Sequence, residues 1–103
     1  MSAHRLPALL TKRAREDYRQ ILLYSFLTWG ERQQIAYNAA LLRALEIIGN
    51  NPNIGRAIGE VRPGYRAYPV EQHIILYRIR SGRVSVSRII HSRMDARQAL
   101  NKG

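Results

Sequence analysis

Two periodicities divide this chain. From Thr11 to about Ile48 apolar positions recur at helical spacing, and from Tyr65 to His91 they alternate. In the first regime Ala14, Tyr18, Ile21, Leu22, Ser25 and Trp29 mark one helix, with Thr11 as its N-cap. Glu16 and Asp17 lie early in it, where negative charge suits the helix dipole. Leu23, Tyr24, Phe26 and Leu27 widen the stripe to most of the circumference, so this helix needs cover on more than one side. Gly30 interrupts the run and Glu31 restarts it. Ile35, Ala39, Leu42, Leu45 and Ile48 give a second amphipathic helix to about Ile48, stopped by Gly49-Asn50-Asn51-Pro52. Two helices joined through one glycine form an antiparallel hairpin.

The remaining elements are strands and turns. Residues 5–10 read RLPALL, a short opening strand that Pro7 favours at a sheet edge. Residues 53–60 read as loop. Arg62-Pro63-Gly64-Tyr65 fits a type II turn, with Pro then Gly at the central positions. Strands follow at Tyr65 to Val70, His73 to Arg80 and Arg83 to His91, the last two joined by the two-residue turn Ser81-Gly82. Asp95 offers an N-cap for a short helix to Leu100. The expected fold is α+β: one domain over 1–103, with an N-terminal strand, an antiparallel helical hairpin on a small antiparallel sheet, and a short C-terminal helix. Strict alternation puts Val84, Val86, Arg88 and Ile90 on one face. Arg88 then points at the core, so either a bulge shifts the phase or Arg88 is partly buried with a partner.

Composition narrows the partners. The net charge is +10 and the basic residues are mostly arginine, with Lys12 and Lys102 the only lysines. Arginine suits bidentate pairing with carboxylate or phosphate. Residues 1–50 carry 7 basic and 4 acidic side chains, and residues 51–103 carry 10 and 3. The skew favours acidic partners: nucleic acid, an acidic protein or a membrane surface. No run approaches a membrane span, and the apolar run near the start is too short for a signal peptide, so a cytoplasmic protein without membrane attachment is expected. Cysteine is absent, which removes disulfides, thiolate nucleophiles and cysteine-based zinc sites.

Catalytic patterns are thin. His4, His73 and His91 lack paired spacing, so no metal site is expected. There is no Gly-x-Ser-x-Gly and no phosphate-binding glycine loop. RNA cleavage is the sharper option: His91 as acid or base, Arg66, Arg78, Arg88 and Arg93 as cations, and Tyr65, Tyr68 or Tyr77 as proton donor. A third reading is a nucleic-acid-binding module, though no aromatic stacking platform is evident.

Five segments together resemble the ParE branch of the RelE/ParE toxin superfamily, from bacterial type II toxin–antitoxin systems. They are Trp29-Gly30 between the helices, Asn51-Pro52-Asn53-Ile54-Gly55-Arg56, and Glu60-Val61-Arg62-Pro63-Gly64-Tyr65-Arg66. The others are His73-Ile74-Ile75-Leu76-Tyr77-Arg78 and His91-Ser92-Arg93-Met94-Asp95. They cover nearly the whole chain, in order and at fitting separations. The resemblance implies a protein poison of DNA gyrase, without a cofactor and more inhibitor than enzyme. It also implies a ParD-like antitoxin with a ribbon-helix-helix N-terminal part and an extended, helical C-terminal part. Operator DNA is met only through that antitoxin. The RelE-like members cleave mRNA on the ribosome with sheet lysines and a C-terminal arginine and tyrosine. Here the sheet segments hold no lysine and no tyrosine follows Tyr77. The resemblance implies target inhibition by the C-terminal segment, here Arg88, His91, Arg93, Met94 and Asp95, with Asp95 as helix cap and Met94 as core filler the structural alternative. Antitoxin binding is expected of Leu23, Tyr24, Leu27, Arg66 and Arg78.

Overall fold

The structure is a computed structural model that describes residues 8–101. In chain order it comprises β1 (Ala8–Leu10), α1 (Lys12–Trp29), α2 (Glu31–Asn50), β2 (Arg56–Ala57), β3 (Tyr65–Val70), β4 (His73–Arg80), β5 (Arg83–His91) and α3 (Ala96–Asn101). The strands form one five-stranded sheet in the order β1-β5-β4-β3-β2. The α+β architecture is the expected one. The sheet is mixed because β1 joins the edge of β5 in parallel, while β2 to β5 pair antiparallel. Pro7 and His4 lie outside the described residues. β2 falls in the stretch read as loop; a strand of two exposed residues leaves no periodicity to read.

Local chemistry sets the boundaries. Thr11 Oγ1 accepts from the Ala14 N–H at 3.1 Å and caps α1. Neither Glu16 nor Asp17 sits in its first turn; Glu16 pairs with Arg19 and Asp17 with β5. Gly30 alone joins the helices at φ 95°, a region that costs a side chain strain. Its N–H donates to Phe26 O and its carbonyl accepts from Gln34 N–H, so one residue closes α1 and opens α2. The Pro63-Gly64 turn closes with Tyr65 N–H on Arg62 O at 3.2 Å. Ser81 and Gly82 have φ 53° and 72°, the type I′ signature of a two-residue hairpin.

Two cores form, one on each face of the sheet. The hairpin buries Ala14, Leu41, Ala44 and Ile48 against Ile75, Tyr77, Val84, Val86 and Ile89. On the other face α3 and the loop before β3 bring Ala99, Leu100 and Ile58 onto Tyr65, Ala67, Leu76 and Ile90. The expected helical stripes are partly corrected. Trp29, Ile35 and Leu42 are exposed. The inward line of α2 instead runs Tyr37, Leu41, Ala44, Ile48. The cause is polar: Tyr18 Oη donates to Asn38 and Tyr37 Oη meets His73 Nδ1, which rotates those residues inward.

Both alternatives left open for Arg88 hold together. Val86 pairs with Tyr77 and Arg88 with Leu76, so Ser87 is an extra residue at a bulge. Before it Val84 and Val86 face the hairpin. After it Ile89 does, while Ile90 joins the second core. Arg88 is 5% exposed. Its Nε and Nη2 donate to the two oxygens of Asp17 at 2.7 and 3.2 Å, and Nη1 donates to Ala99 O. Asp17 also accepts from the Ile89 N–H at 3.0 Å. β1 pairs only with Val84 to Val86, so Asp17 serves the β5 edge where β1 has ended. One carboxylate thus satisfies a buried cation and an open strand edge.

Candidate functional site

Three regions carry exposed chemistry. The first is the outer face of the hairpin. Tyr24, Leu27 and Trp29 are 66%, 71% and 69% exposed, with Leu23, Phe26, Ile35 and Leu42 also open. Apolar side chains this large and this close together mark an interaction surface. Beside it lies a cavity of about 320 Å³, lined by Tyr24, Trp29, Tyr37 and His73 among others. Its aromatic walls and polar rim suit an inserted apolar side chain.

The second region is the corner where β5 passes into α3. His91 is half-buried; its ring meets that of His73 edge-on, centroids 5.5 Å apart. Its Nδ1 accepts from the Arg93 N–H at 3.1 Å. Arg93, Met94 and Asp95 are exposed. Asp95 Oδ1 accepts from the Arg97 N–H at 2.9 Å, so this residue caps α3. Met94 is half open to solvent and fills no core. His73 is held below its ordinary pKa, first by burial and then by the nearby His91.

The third region is a cleft of about 700 Å³ on the second face of the sheet, in the half that α3 leaves open. Arg78 lies in it with its guanidinium 5.2 Å above the Tyr65 ring. Lys12, Arg13 and Arg62 line it too. These three were missed at the sequence level. The legible signal was strand phase: β4 alternation sets Arg78 beside Leu76 on the second face, and the Pro63-Gly64 turn brings Arg62 nearby.

The structure brings together Leu23, Tyr24 and Leu27 on the hairpin, and His91, Arg93, Met94 and Asp95 at the corner. It separates the others. Arg88 is interior, with Nε and Nη2 bonded to Asp17 and Nη1 to Ala99 O. Arg66 Nη1 donates to Gly55 O and Asn53 O, holding the loop before β2. Arg78 faces the cleft, away from the hairpin. The parts of an RNA-cleaving site also stay apart. Tyr65 pairs with Arg78 at one end of β4, whereas His91 pairs with His73 at the other. Tyr77 is fully buried, its Oη bound to Pro52 O and the Gly55 N–H.

A helical hairpin closed on one face of a mixed sheet, with an apolar outer surface and a basic second face, defines a small α+β interaction protein. The same fold occurs in a solved chain titled "Chromosomal ParDE TA system from P. aeruginosa". The TM-score is 0.72 at 16% identity, over 86% of this chain and 98% of that one. The family model described as "ParE toxin of type II toxin-antitoxin system, parDE" matches residues 8–96. This chain is 34% identical to Toxin ParE1 of Caulobacter vibrioides, over 91% of this chain and 97% of the relative. It is 36% identical to Toxin ParE1 of Mycobacterium tuberculosis, over 89% and 95%. The chain belongs to the ParE toxin family of type II toxin–antitoxin systems, which implies an antitoxin partner.

Proposed function

We propose that this toxin acts in the cytoplasm by poisoning DNA gyrase and is held inactive by a ParD-like antitoxin. The observation that carries the reading is the apolar outer face of α1 in a chain of this family. An antitoxin helix laid along Leu23, Tyr24 and Leu27 covers that face, with one apolar side chain in the cavity between Trp29 and Tyr37. An acidic antitoxin segment and a chain of net charge +10 associate fast, with Arg66 adding a cation along the path, whereas Arg78 lies on the opposite face of the sheet. Operator DNA is reached through the antitoxin's ribbon-helix-helix part. Target contact falls to His91, Arg93, Met94 and Asp95 at the exposed corner, which Arg88 supports from inside.

The test is a plasmid assay with purified gyrase, ATP and the toxin, with and without antitoxin, read as linear DNA after protein digestion. Linear DNA that accumulates and is abolished by antitoxin supports the reading. Normal supercoiling throughout sinks it and moves attention to ribosome-bound mRNA. Leu27→Glu separates the two surfaces. A charge in an apolar interface should cut antitoxin affinity by roughly tenfold to a hundredfold while gyrase poisoning persists.

A further inference from the structure

The cleft on the second face is built for a ligand of its own. Arg78, Tyr65 and Ser87 form its floor; Lys12 and Arg13 stand on one rim and Arg62 on the other. Tyr65 Oη and Ser87 Oγ share one hydrogen bond at 2.9 Å, which leaves one hydroxyl proton and Arg78 as the floor's free donors. The Arg78 Nε is buried and has no hydrogen-bond partner among the described residues. Buried donors are almost always satisfied, so an acceptor is owed at this point. The Tyr65 ring fixes the guanidinium plane beforehand.

The rims are cationic and largely uncommitted. Lys12, Arg62 and Arg78 form no ion pair among the described residues, and Arg13 comes no nearer to Asp17 than 3.7 Å. Arg62 spends Nη1 on Leu100 O and keeps its other donors. The one carboxylate on the lining, Glu16, is turned to Arg19 at 2.7 Å and Gln20 at 3.0 Å.

We propose that this cleft binds a phosphate group, with Arg78 as the central donor and Arg62, Lys12 and Arg13 converging from the rims. Geometry favours phosphate over carboxylate. A planar monoanion is matched by a single guanidinium fork and leaves the opposite rim uncompensated. A tetrahedral dianion accepts from floor and rims at once. The volume far exceeds a bare ion, so the cleft has room for the remainder of a phosphate ester. This inference stands apart from the gyrase reading, which rests on other surfaces.

The test is a titration of the ¹⁵N-labelled full chain, following backbone amides and arginine Nε–H signals at fixed ionic strength. Inorganic phosphate, a nucleoside 5′-monophosphate and a short single-stranded oligonucleotide are the three probes, with sodium acetate as the control. Saturable shifts centred on Arg78 Nε–H and the Lys12 and Arg13 amides are expected with phosphate and absent with acetate. Arg78→Gln should weaken phosphate binding roughly tenfold or more. Arg62→Gln, at an exposed turn, should weaken it without disturbing the fold. Tighter binding of the monophosphate than of inorganic phosphate identifies an ester ligand, tighter binding of the oligonucleotide a nucleic-acid backbone, and equal binding free phosphate. The proposal is overturned if acetate moves the same signals as strongly. It is also overturned if shifts spread without saturation over Arg15, Arg80 and Arg83, or if both folded variants keep wild-type affinity.

Discussion

The two faces of this sheet are closed to different degrees. The hairpin face is shut along its length by two helices, and the side chains beneath them are almost wholly removed from water. The second face is shut only where the six residues of α3 and the loop before β3 reach it, and beyond them a cationic cleft stays open. A strand buried on both sides would need apolar residues at every position. β5 serves two unlike faces because the bulge at Ser87 resets its phase. Three valine and isoleucine side chains go to the closed face, and an arginine bound on both sides goes to the half-open one. Stability is concentrated under the hairpin, and the exposed chemistry lies on the outer surfaces.

The largest expected effect comes from cutting the tie between the faces. Asp17 on α1 and Ala99 on α3 both hold the Arg88 guanidinium. Asp17→Ala leaves that charge buried and the Ile89 N–H without its acceptor, at a cost of about 3–5 kcal/mol. Urea unfolding measures this loss. Replacing both partners, Asp17→Leu with Arg88→Met, should recover the part owed to the uncompensated charge, while the Ile89 N–H stays without an acceptor. A small loss in Asp17→Ala would mean that the two faces are stabilised independently.

A smaller effect tests how little slack the closed side has. Gly55 leads into β2 directly against Tyr77. A Cβ there would lie 2.6 Å from Tyr77 Oη and 2.8 Å from Cε1. The ring is fully buried and its hydroxyl is bound at both ends, so it has nowhere to go. Gly55→Ala should cost about 1–3 kcal/mol as overpacking. Thermal unfolding reads it. A neutral result would show that the loop moves freely and that Tyr77 does not anchor it.

Much of this organisation was legible in the sequence, and the misses have physical causes. Turns and caps were read well because their residues act locally: Thr11, Gly30, Pro63-Gly64 and Ser81-Gly82 need no tertiary partner. The anomaly at Arg88 was visible as a broken alternation. Its partner was not, because Asp17 lies 71 positions away and early carboxylates in a helix ordinarily answer to the dipole. The inward line of α2 was misread because Tyr37 and Asn38 turn inward for hydrogen bonds, which hydropathy does not register. The surplus of apolar residues on α1 was legible as a demand for cover, and among the described residues that demand goes unmet. The basic cleft was not legible as a unit. It gathers Arg78 from a strand, Arg62 from a turn and Lys12 from a helix start, and only the folded sheet joins them.

The smallest effect concerns the end of the sheet opposite the cleft. Both histidines among the described residues sit there, His73 and His91, paired across β4 and β5 with Tyr37 packed edge-on to His73. A neutral His73 with its proton on Nε2 accepts from Tyr37 Oη. Burial pushes its pKa down and the neighbouring His91 adds to the shift, while Asp17 opposes it. In the unfolded chain the same side chain takes its proton near the ordinary value of 6.5. Below that pH the unfolded state therefore holds more protons than the folded one, and stability falls as the solution is acidified. Melting temperature should decline from neutral to mildly acid pH, and His73→Gln should flatten that decline while leaving the neutral value little changed. An unchanged slope in His73→Gln would show that His73 does not carry the pH sensitivity.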